Sequence, residues 1–147
     1  MTGSTVRVLV ADDQAPFRRA ARTVLRATTG FEIVGEAASG EEAVALAASL
    51  APDLVLMDIK MPGIGGIEAT RRIVEVRPET MTVLLSSYRA EDLPADARSC
   101  GATAYVHKED FGPRMLRDLW GQSRDDAFVV PTAPARRGRR ARPSPDG

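Results

Sequence analysis

Short apolar runs alternate with longer stretches of helical spacing along most of this chain. Leu54–Met57 has no polar position, and most of the other runs contain β-branched residues. This pattern is typical of strands that are covered on both faces. The runs predict strands at Val6–Val10, Phe31–Ala37, Leu54–Met57, Met81–Leu85 and Ala102–Val106.

Helical patterns lie between these runs. From Pro16 onward, apolar residues such as Phe17 and Leu25 recur at helical spacing until Gly30. Ser39, with Glu42 three residues later, is typical of a helix N-terminus. Helices are predicted at Glu41–Leu50, at Ile67–Val76, from Pro113 onward and, more weakly, at Ala90–Cys100, where Pro94 must begin or break the helix.

Five strand–helix units of this length favour right-handed crossovers and a parallel sheet between two layers of helices. The predicted fold is therefore α/β, a doubly wound, flavodoxin-like (βα)5 domain with five parallel strands. A chain of 147 residues has room for one such domain, which we place at residues 1–124. Residues 125–147 are rich in proline and arginine and are predicted to be a disordered tail.

The formal net charge of zero hides an asymmetry between the two ends of the chain. Residues 131–147 hold five arginines and one acid, a net charge of +4, which leaves −4 on the rest. An acidic body with a short basic tail is not the pattern of a nucleic-acid-binding domain.

Cysteine, histidine and hydropathy exclude further classes of protein. Cys100 is the only cysteine and His107 the only histidine, so neither an internal disulfide nor a zinc site is expected. No stretch approaches the roughly 20 apolar residues of a membrane helix. These features favour a cytoplasmic protein without a membrane segment.

Polar residues follow the predicted strands at the points where ligands bind in parallel α/β sheets. Asp12 and Asp13 come after the first strand, Asp58 after the third, Ser86 after the fourth and Lys108 after the fifth. Three carboxylates at one sheet edge would repel each other without a cation, and Mg²⁺ prefers such oxygen ligands. A lysine and a hydroxyl are the groups that a bound phosphoryl group requires.

This constellation resembles the receiver domain of two-component response regulators. The resemblance covers about residues 5–120 and rests on four motifs in the expected order, each at a strand end. They are Val8–Asp13 with its paired acids, Asp58–Pro62 followed by Gly66, Leu84–Ser86 and Gly101–Lys108.

By that resemblance, Asp58 is the phosphoacceptor for a sensor histidine kinase. Asp13 is implied to bind Mg²⁺ directly and Asp12 mainly through water, with Asp58 and the Lys60 carbonyl completing the protein ligands. The metal would neutralise charge on the transferring phosphoryl group.

The resemblance also implies how phosphorylation changes the surface of the domain. Lys108 would pair with one phosphoryl oxygen, and Ser86 would donate a hydrogen bond to another. Tyr105 matches the switch aromatic, whose ring fills the space that Ser86 leaves and so alters the surface of the fourth helix, fifth strand and fifth helix. An unidentified downstream partner would bind that surface, and phosphorylation-dependent pairing with a second copy stays open.

Two positions beside the acceptor site carry large side chains. Lys60 lies two residues after Asp58, and Tyr88 two residues after Ser86. In this family these positions flank the path of the water that hydrolyses the acyl phosphate. We therefore expect slow dephosphorylation. The chain is expected to catalyse only its own phosphorylation and hydrolysis, not a reaction of an external metabolite.

Three interpretations of the whole chain remain. A stand-alone receiver would offer a protein-binding surface when phosphorylated. Alternatively, the chain is the receiver part of a transcription regulator, because His107–Asp110 is similar to regulators that carry a helix-turn-helix domain, yet no such domain fits in the 27 residues after Trp120. A haloacid-dehalogenase-type phosphohydrolase is disfavoured, because it expects its nucleophile and a second acid two residues apart, and Asp12-Asp13-Gln14 lacks that spacing.

Overall fold

A computed structural model of the chain describes residues 5–121. The predicted disordered tail at residues 125–147 lies outside the described residues. Within residues 5–121, no helix is both long enough and apolar enough to cross a bilayer.

Five parallel strands form one sheet in the order β2-β1-β3-β4-β5. The strands are β1 Val6–Ala11, β2 Phe31–Ala37, β3 Leu54–Asp58, β4 Met81–Ser86 and β5 Ala104–His107. Every residue of β3 and β4 is buried, which explains why these strands are mainly apolar rather than alternating between apolar and polar residues. The predicted doubly wound, flavodoxin-like sheet is confirmed, and each strand begins and ends within two residues of its prediction.

Within the described part of the chain, four α-helices cover the two faces of the sheet. They are α1 Ala15–Ala27, α2 Gly40–Leu50, α3 Gly65–Val76 and α4 Pro113–Trp120. The Ser39 side chain accepts a hydrogen bond from the Glu42 backbone N–H, as the predicted N-cap requires. The Glu42 carboxylate in turn accepts from the Ala38 N–H, so both ends of this capping pair are satisfied.

Alternate strand residues supply two separate cores. On one face, side chains such as Val10 and Leu56 pack with Leu25 of α1 and Leu116 of α4. On the other face, residues that include Met57 pack with α2, α3 and the segment that leads into β5. The sheet is therefore buried on both sides, and its carboxyl edge is where polar groups can gather.

The predicted helix at Ala90–Cys100 is wrong. This segment forms two short 3₁₀ turns, Ala90–Asp92 and Ala95–Arg98, and Pro94 stands at the N-cap of the second. Proline has no N–H to donate, and it disfavours helical backbone in the residue before it, so a continuous helix cannot run through this position. The fourth helix in chain order is consequently the one that begins at Pro113.

Candidate functional site

The strand ends bring the predicted polar residues to one edge of the sheet. Asp12 follows β1, Asp58 ends β3, Ser86 ends β4, and Lys108 follows β5. A cavity of about 370 Å³ opens at this edge. Its lining residues are Asp13, Gln14, Asp58, Lys60, Ser86, Ser87, Tyr88 and Lys108.

Three carboxylates face one another at the base of this region. Carboxylate oxygens of Asp12, Asp13 and Asp58 all lie within 4.8 Å of one another. Asp12 is 1% exposed and Asp58 5% exposed, whereas Asp13 is exposed to solvent. Ligands around an octahedral Mg²⁺ lie at about 2.1 Å from the ion, so opposite oxygens are about 4.2 Å apart. The cluster is close to that size.

Lys108 supplies the cation nearest to these carboxylates. Its Nζ lies 2.7 Å from Asp12 Oδ2 and 3.6 Å from Asp58 Oδ1. The Asp12 side chain is also held by the backbone, because its Oδ1 accepts a hydrogen bond of 2.8 Å from the Gln14 N–H. Asp12 Oδ2 is within ion-pair distance of Lys108 but has no hydrogen-bond partner of acceptable geometry among residues 5–121.

The pKa of Asp58 is raised by its surroundings. Burial, above all, together with the neighbouring charges of Asp12 and Asp13, raises its pKa from the ordinary 3.8 to about 6. Lys108 opposes this shift but does not cancel it. The charge of this one ammonium group therefore compensates the buried Asp58 carboxylate only in part.

These residues fit a divalent cation. Among the described residues, no donor meets hydrogen-bond geometry at the buried Asp12 Oδ2, although Lys108 lies within ion-pair distance of it. The pKa of Asp58 is raised by burial first and then by the charges of Asp12 and Asp13. Oxygen-only donors, with one carboxylate open to solvent, suit Mg²⁺, which retains several waters when it binds to proteins. The chemistry of the donor set thus agrees with the predicted magnesium site.

Ser86 and Tyr105 are linked through the backbone after β4. Ser86 Oγ accepts a hydrogen bond of 3.1 Å from the Tyr88 N–H. The buried Tyr105 hydroxyl donates to the carbonyl oxygens of Ser86, at 3.1 Å, and of Tyr88. Burial is the main reason that the pKa of Tyr105 rises to about 12, so the phenol stays a donor. Its ring lies inside the core that packs against α2 and α3.

The loop after Asp58 is shaped by close backbone contacts. A Cβ atom on Gly66 would lie 1.9 Å from the Asp58 carbonyl oxygen, so only glycine allows α3 to begin so near the strand end. Glu41 of α2 accepts a hydrogen bond of 3.1 Å from the Ile64 N–H. The Asp58–Ile64 segment is consequently held by both α2 and α3.

Lys60 and Tyr88 both line the cavity and lie close to one another. The Lys60 Nζ lies 5.7 Å from the centre of the Tyr88 ring, within the range of a cation–π contact. The two large side chains predicted to flank the acceptor therefore do approach one another.

Sequence reasoning missed part of this site. Gln14 and Ser87 line the cavity, and Phe17 was interpreted only as a helix packing residue although its ring lies 4.6 Å from Lys108 Nζ. Arg18 was also missed, and its Nη1 donates to the Asp12 carbonyl oxygen at 2.6 Å. Their position in the sequence could have indicated that Phe17 and Arg18 lie near the site, because both belong to the first turn of the helix that follows the paired acids.

Comparison with protein families matches residues 8–119 to the family described as "Response regulator receiver domain". Among curated relatives, the chain is 41% identical over 103 residues to the response regulator GacA of Pseudomonas viridiflava. That match covers 70% of this chain and 48% of the relative, so the chain spans about half the length of the curated relatives it matches.

Solved structures show the same fold. A LuxR-family two-component response regulator from Aurantimonas sp. SI85-9A1 has a TM-score of 0.76 at 28% identity and covers 90% of this chain and 92% of its own. The signal receiver domain of the putative response regulator NarL from Mycobacterium tuberculosis has a TM-score of 0.74 at 27% identity, with coverages of 81% and 99%.

Proposed function

The chain belongs to the response regulator receiver domain family, and from this premise we propose that it accepts a phosphoryl group on Asp58 in the presence of Mg²⁺. The observation that carries the proposal is the meeting of Asp58 with two further carboxylates and Lys108 at one sheet edge. A solvated acidic turn would not need a lysine that is only 15% exposed between its carboxylates.

In the proposed reaction, a carboxylate oxygen of Asp58 attacks the phosphorus atom of a phosphohistidine on a sensor histidine kinase. An O–P bond forms, the P–N bond breaks, and the imidazole leaves with the electron pair of that bond. Mg²⁺, when bound, neutralises charge on the phosphoryl oxygens. Asp12 and Asp13 would hold the ion together with Asp58 and the Lys60 carbonyl.

Lys108 and Ser86 would bind the transferred group. Lys108 Nζ already lies 3.6 Å from Asp58 Oδ1, so a phosphoryl group on Asp58 would come within its reach. Ser86 lines the same cavity and would donate its hydroxyl hydrogen to another phosphoryl oxygen. In doing so its Oγ would give up the hydrogen bond from the Tyr88 N–H.

That exchange would transmit the signal to the surface. Tyr105 is hydrogen-bonded to the carbonyl oxygens of Ser86 and Tyr88, so movement of this backbone changes what the phenol can bind. The affected surface comprises the segment of 3₁₀ turns, β5 and α4, and a downstream partner or a second copy would bind there. We place this activity in the cytoplasm and propose no reaction on an external metabolite.

The test is the intact mass of the protein after incubation with acetyl phosphate, with and without Mg²⁺. We expect a single Mg²⁺-dependent phosphoryl adduct on the wild-type protein and on Asp96→Ala, a control that removes an exposed acid away from the cavity. Asp58→Ala should form no adduct. An adduct that persists in Asp58→Ala would contradict the assignment of the acceptor.

A second candidate is the receiver part of a longer DNA-binding regulator. The observation that favours it is the coverage, because the chain spans only 48% of GacA of Pseudomonas viridiflava. The reading frame after Gly147 distinguishes the two: amphipathic helices encoded downstream would favour the longer regulator, and a stop codon would favour the stand-alone receiver.

A further inference from the structure

The ammonium group of Lys108 has an aromatic neighbour in addition to its carboxylates. The centre of the Phe17 ring lies 4.6 Å from Lys108 Nζ, well inside the range of a cation–π contact. The Lys108 side chain is only 15% exposed, which reduces the competition from water for this contact. Three groups therefore surround one cation: Asp12, Asp58 and the Phe17 ring.

The Phe17 ring is held in place by the elements on both sides of it. Phe17 lies in the first turn of α1, which begins at Ala15, directly after the paired acids. Its ring packs against Phe111, with ring centres 6.0 Å apart and planes inclined by 50°. Phe111 follows the short turn that Lys108 begins, so the two rings join the residues after β1 to those after β5.

Metal binding affects the three partners of Lys108 differently. Asp12 and Asp58 belong to the carboxylate cluster that fits Mg²⁺, so an ion there competes with Lys108 for their oxygens. An aromatic ring is not a ligand for this hard cation. The Phe17 contact is therefore the one of these three that metal binding leaves to Lys108.

We propose that Phe17 is a positioning residue that keeps Lys108 Nζ beside Asp58 when Mg²⁺ takes the carboxylate oxygens. The inference rests on the proposed phosphoryl transfer and assigns Phe17 a part in it. Without the ring, the four-carbon side chain of Lys108 is free to turn toward solvent, and fewer molecules hold the ammonium where the phosphoryl oxygen arrives.

The first measurement is made on the unphosphorylated protein by NMR. A cation seated on a ring lies in the shielding region above its face, so the ε-methylene protons of Lys108 should resonate upfield of an ordinary lysine. We expect this shift to persist at saturating Mg²⁺ and to disappear in Phe17→Leu. Phe31→Leu is the matched control, because Phe31 is also partly buried against the same core but lies at the start of β2.

The second measurement is the rate of adduct formation from acetyl phosphate at saturating Mg²⁺. Phe17→Leu should slow it about threefold to tenfold, the range expected for loss of one cation–π contact. Phe17→Tyr keeps an aromatic face and should remain near the wild-type rate, as should Phe31→Leu. In a Lys108→Ala background, Phe17→Leu should have no further effect, because the ring would act only through Lys108.

The outcomes separate this inference from the proposed function. If the adduct forms as fast in Phe17→Leu as in the wild-type protein, the role of Phe17 alone would be overturned. The same holds if the upfield shift of the Lys108 ε-methylene protons vanishes when Mg²⁺ binds. A wild-type protein that forms no adduct would overturn the proposed function and this role together. Equal slowing by Phe17→Leu with and without Lys108 would show a structural effect and would also overturn the inference.

Discussion

Two crossovers on the same face of the sheet are built very differently. The connection from β3 to β4 contains α3, a regular helix of 12 residues that buries Gly66, Ala69, Thr70 and Ile73. The connection from β4 to β5 contains only two 3₁₀ turns, of three and four residues, in which Ala97 is the one buried residue among the described side chains. Each crossover begins at the cavity, the first after Asp58 and the second after Ser86.

The difference matches what the proposed reaction requires of each segment. The segment after Asp58 would have to keep a carboxylate and a metal-binding carbonyl in place, and α2 and α3 both pack against it. The segment after Ser86 would have to move. Few buried contacts and little regular hydrogen bonding make rearrangement less costly there.

The largest expected effect comes from Gly66→Ala in the rigid crossover. The new Cβ would meet the Asp58 carbonyl oxygen at 1.9 Å, and backbone atoms cannot swing aside as a side chain can. We expect the free energy of unfolding to fall by about 2–4 kcal/mol in urea titrations. Gly121→Ala is the control, since its backbone is helical with φ of −76° and its nearest contact is an ordinary 3.4 Å. Equal losses in both variants would contradict the steric explanation.

An intermediate effect is expected from removing Lys60 and Tyr88, which belong to different crossovers and both line the cavity. Lys60 and Tyr88 approach to 5.7 Å, and their removal should open the acceptor to water. In the Lys60→Ala, Tyr88→Ala double variant, we expect the acyl phosphate to hydrolyse about three to ten times faster, a fall of about 0.7–1.4 kcal/mol in the barrier. The measurement is the decay of the adduct after removal of the phosphodonor.

Tyr88→Phe is the control for this shield, because it keeps the ring and therefore the contact with Lys60. Its half-life should stay near that of the wild-type protein. A half-life that does not shorten in the double variant would remove the shielding hypothesis while leaving the acceptor assignment intact.

The smallest effect is expected for Pro94→Ala in the loosely built crossover. Alanine restores the backbone N–H and relieves the restriction on Leu93, so residues 90–98 become free to form helix. We expect a small gain in helical circular dichroism, with a stability change within about 1 kcal/mol. Pro62→Ala, at an exposed loop position, should give no such gain. If both variants leave the spectrum unchanged, packing rather than proline keeps this crossover irregular.

The sequence predicted most of the fold because the central strands are buried on both faces. Short, mainly apolar runs identified β3 and β4, and the Ser39–Glu42 pair identified the start of α2. The prediction at Ala90–Cys100 was wrong because helical spacing and proline chemistry compete there. Spacing favoured a helix, and Pro94 prevented one.

The sequence predicted which residues form the candidate site, but not the distances and contacts between them. The carboxyl ends of parallel strands meet at one edge, so Asp12, Asp58, Ser86 and Lys108 had to be neighbours once the sheet was predicted. Their roles in phosphoryl transfer and metal binding stay predictions. Phe17 could not be assigned to the site from its spacing, because a residue in the apolar stripe of α1 reads as core whether or not its ring also contacts a lysine.

By itself, the sequence determined which chemical groups stand at the ends of the strands, because hydrophobic periodicity sets where each strand stops. Only the tertiary structure decided that Lys108 Nζ lies nearer to Asp12 than to Asp58 and rests on the Phe17 ring. The contacts of Lys108 with Asp12 and Phe17 join the ends of β1 and β5 across two intervening strands, and its contact with Asp58 joins the ends of β3 and β5 across one. They depend on the register of each strand pair and on how α1 packs beside the turn after β5, and no local pattern contains that information.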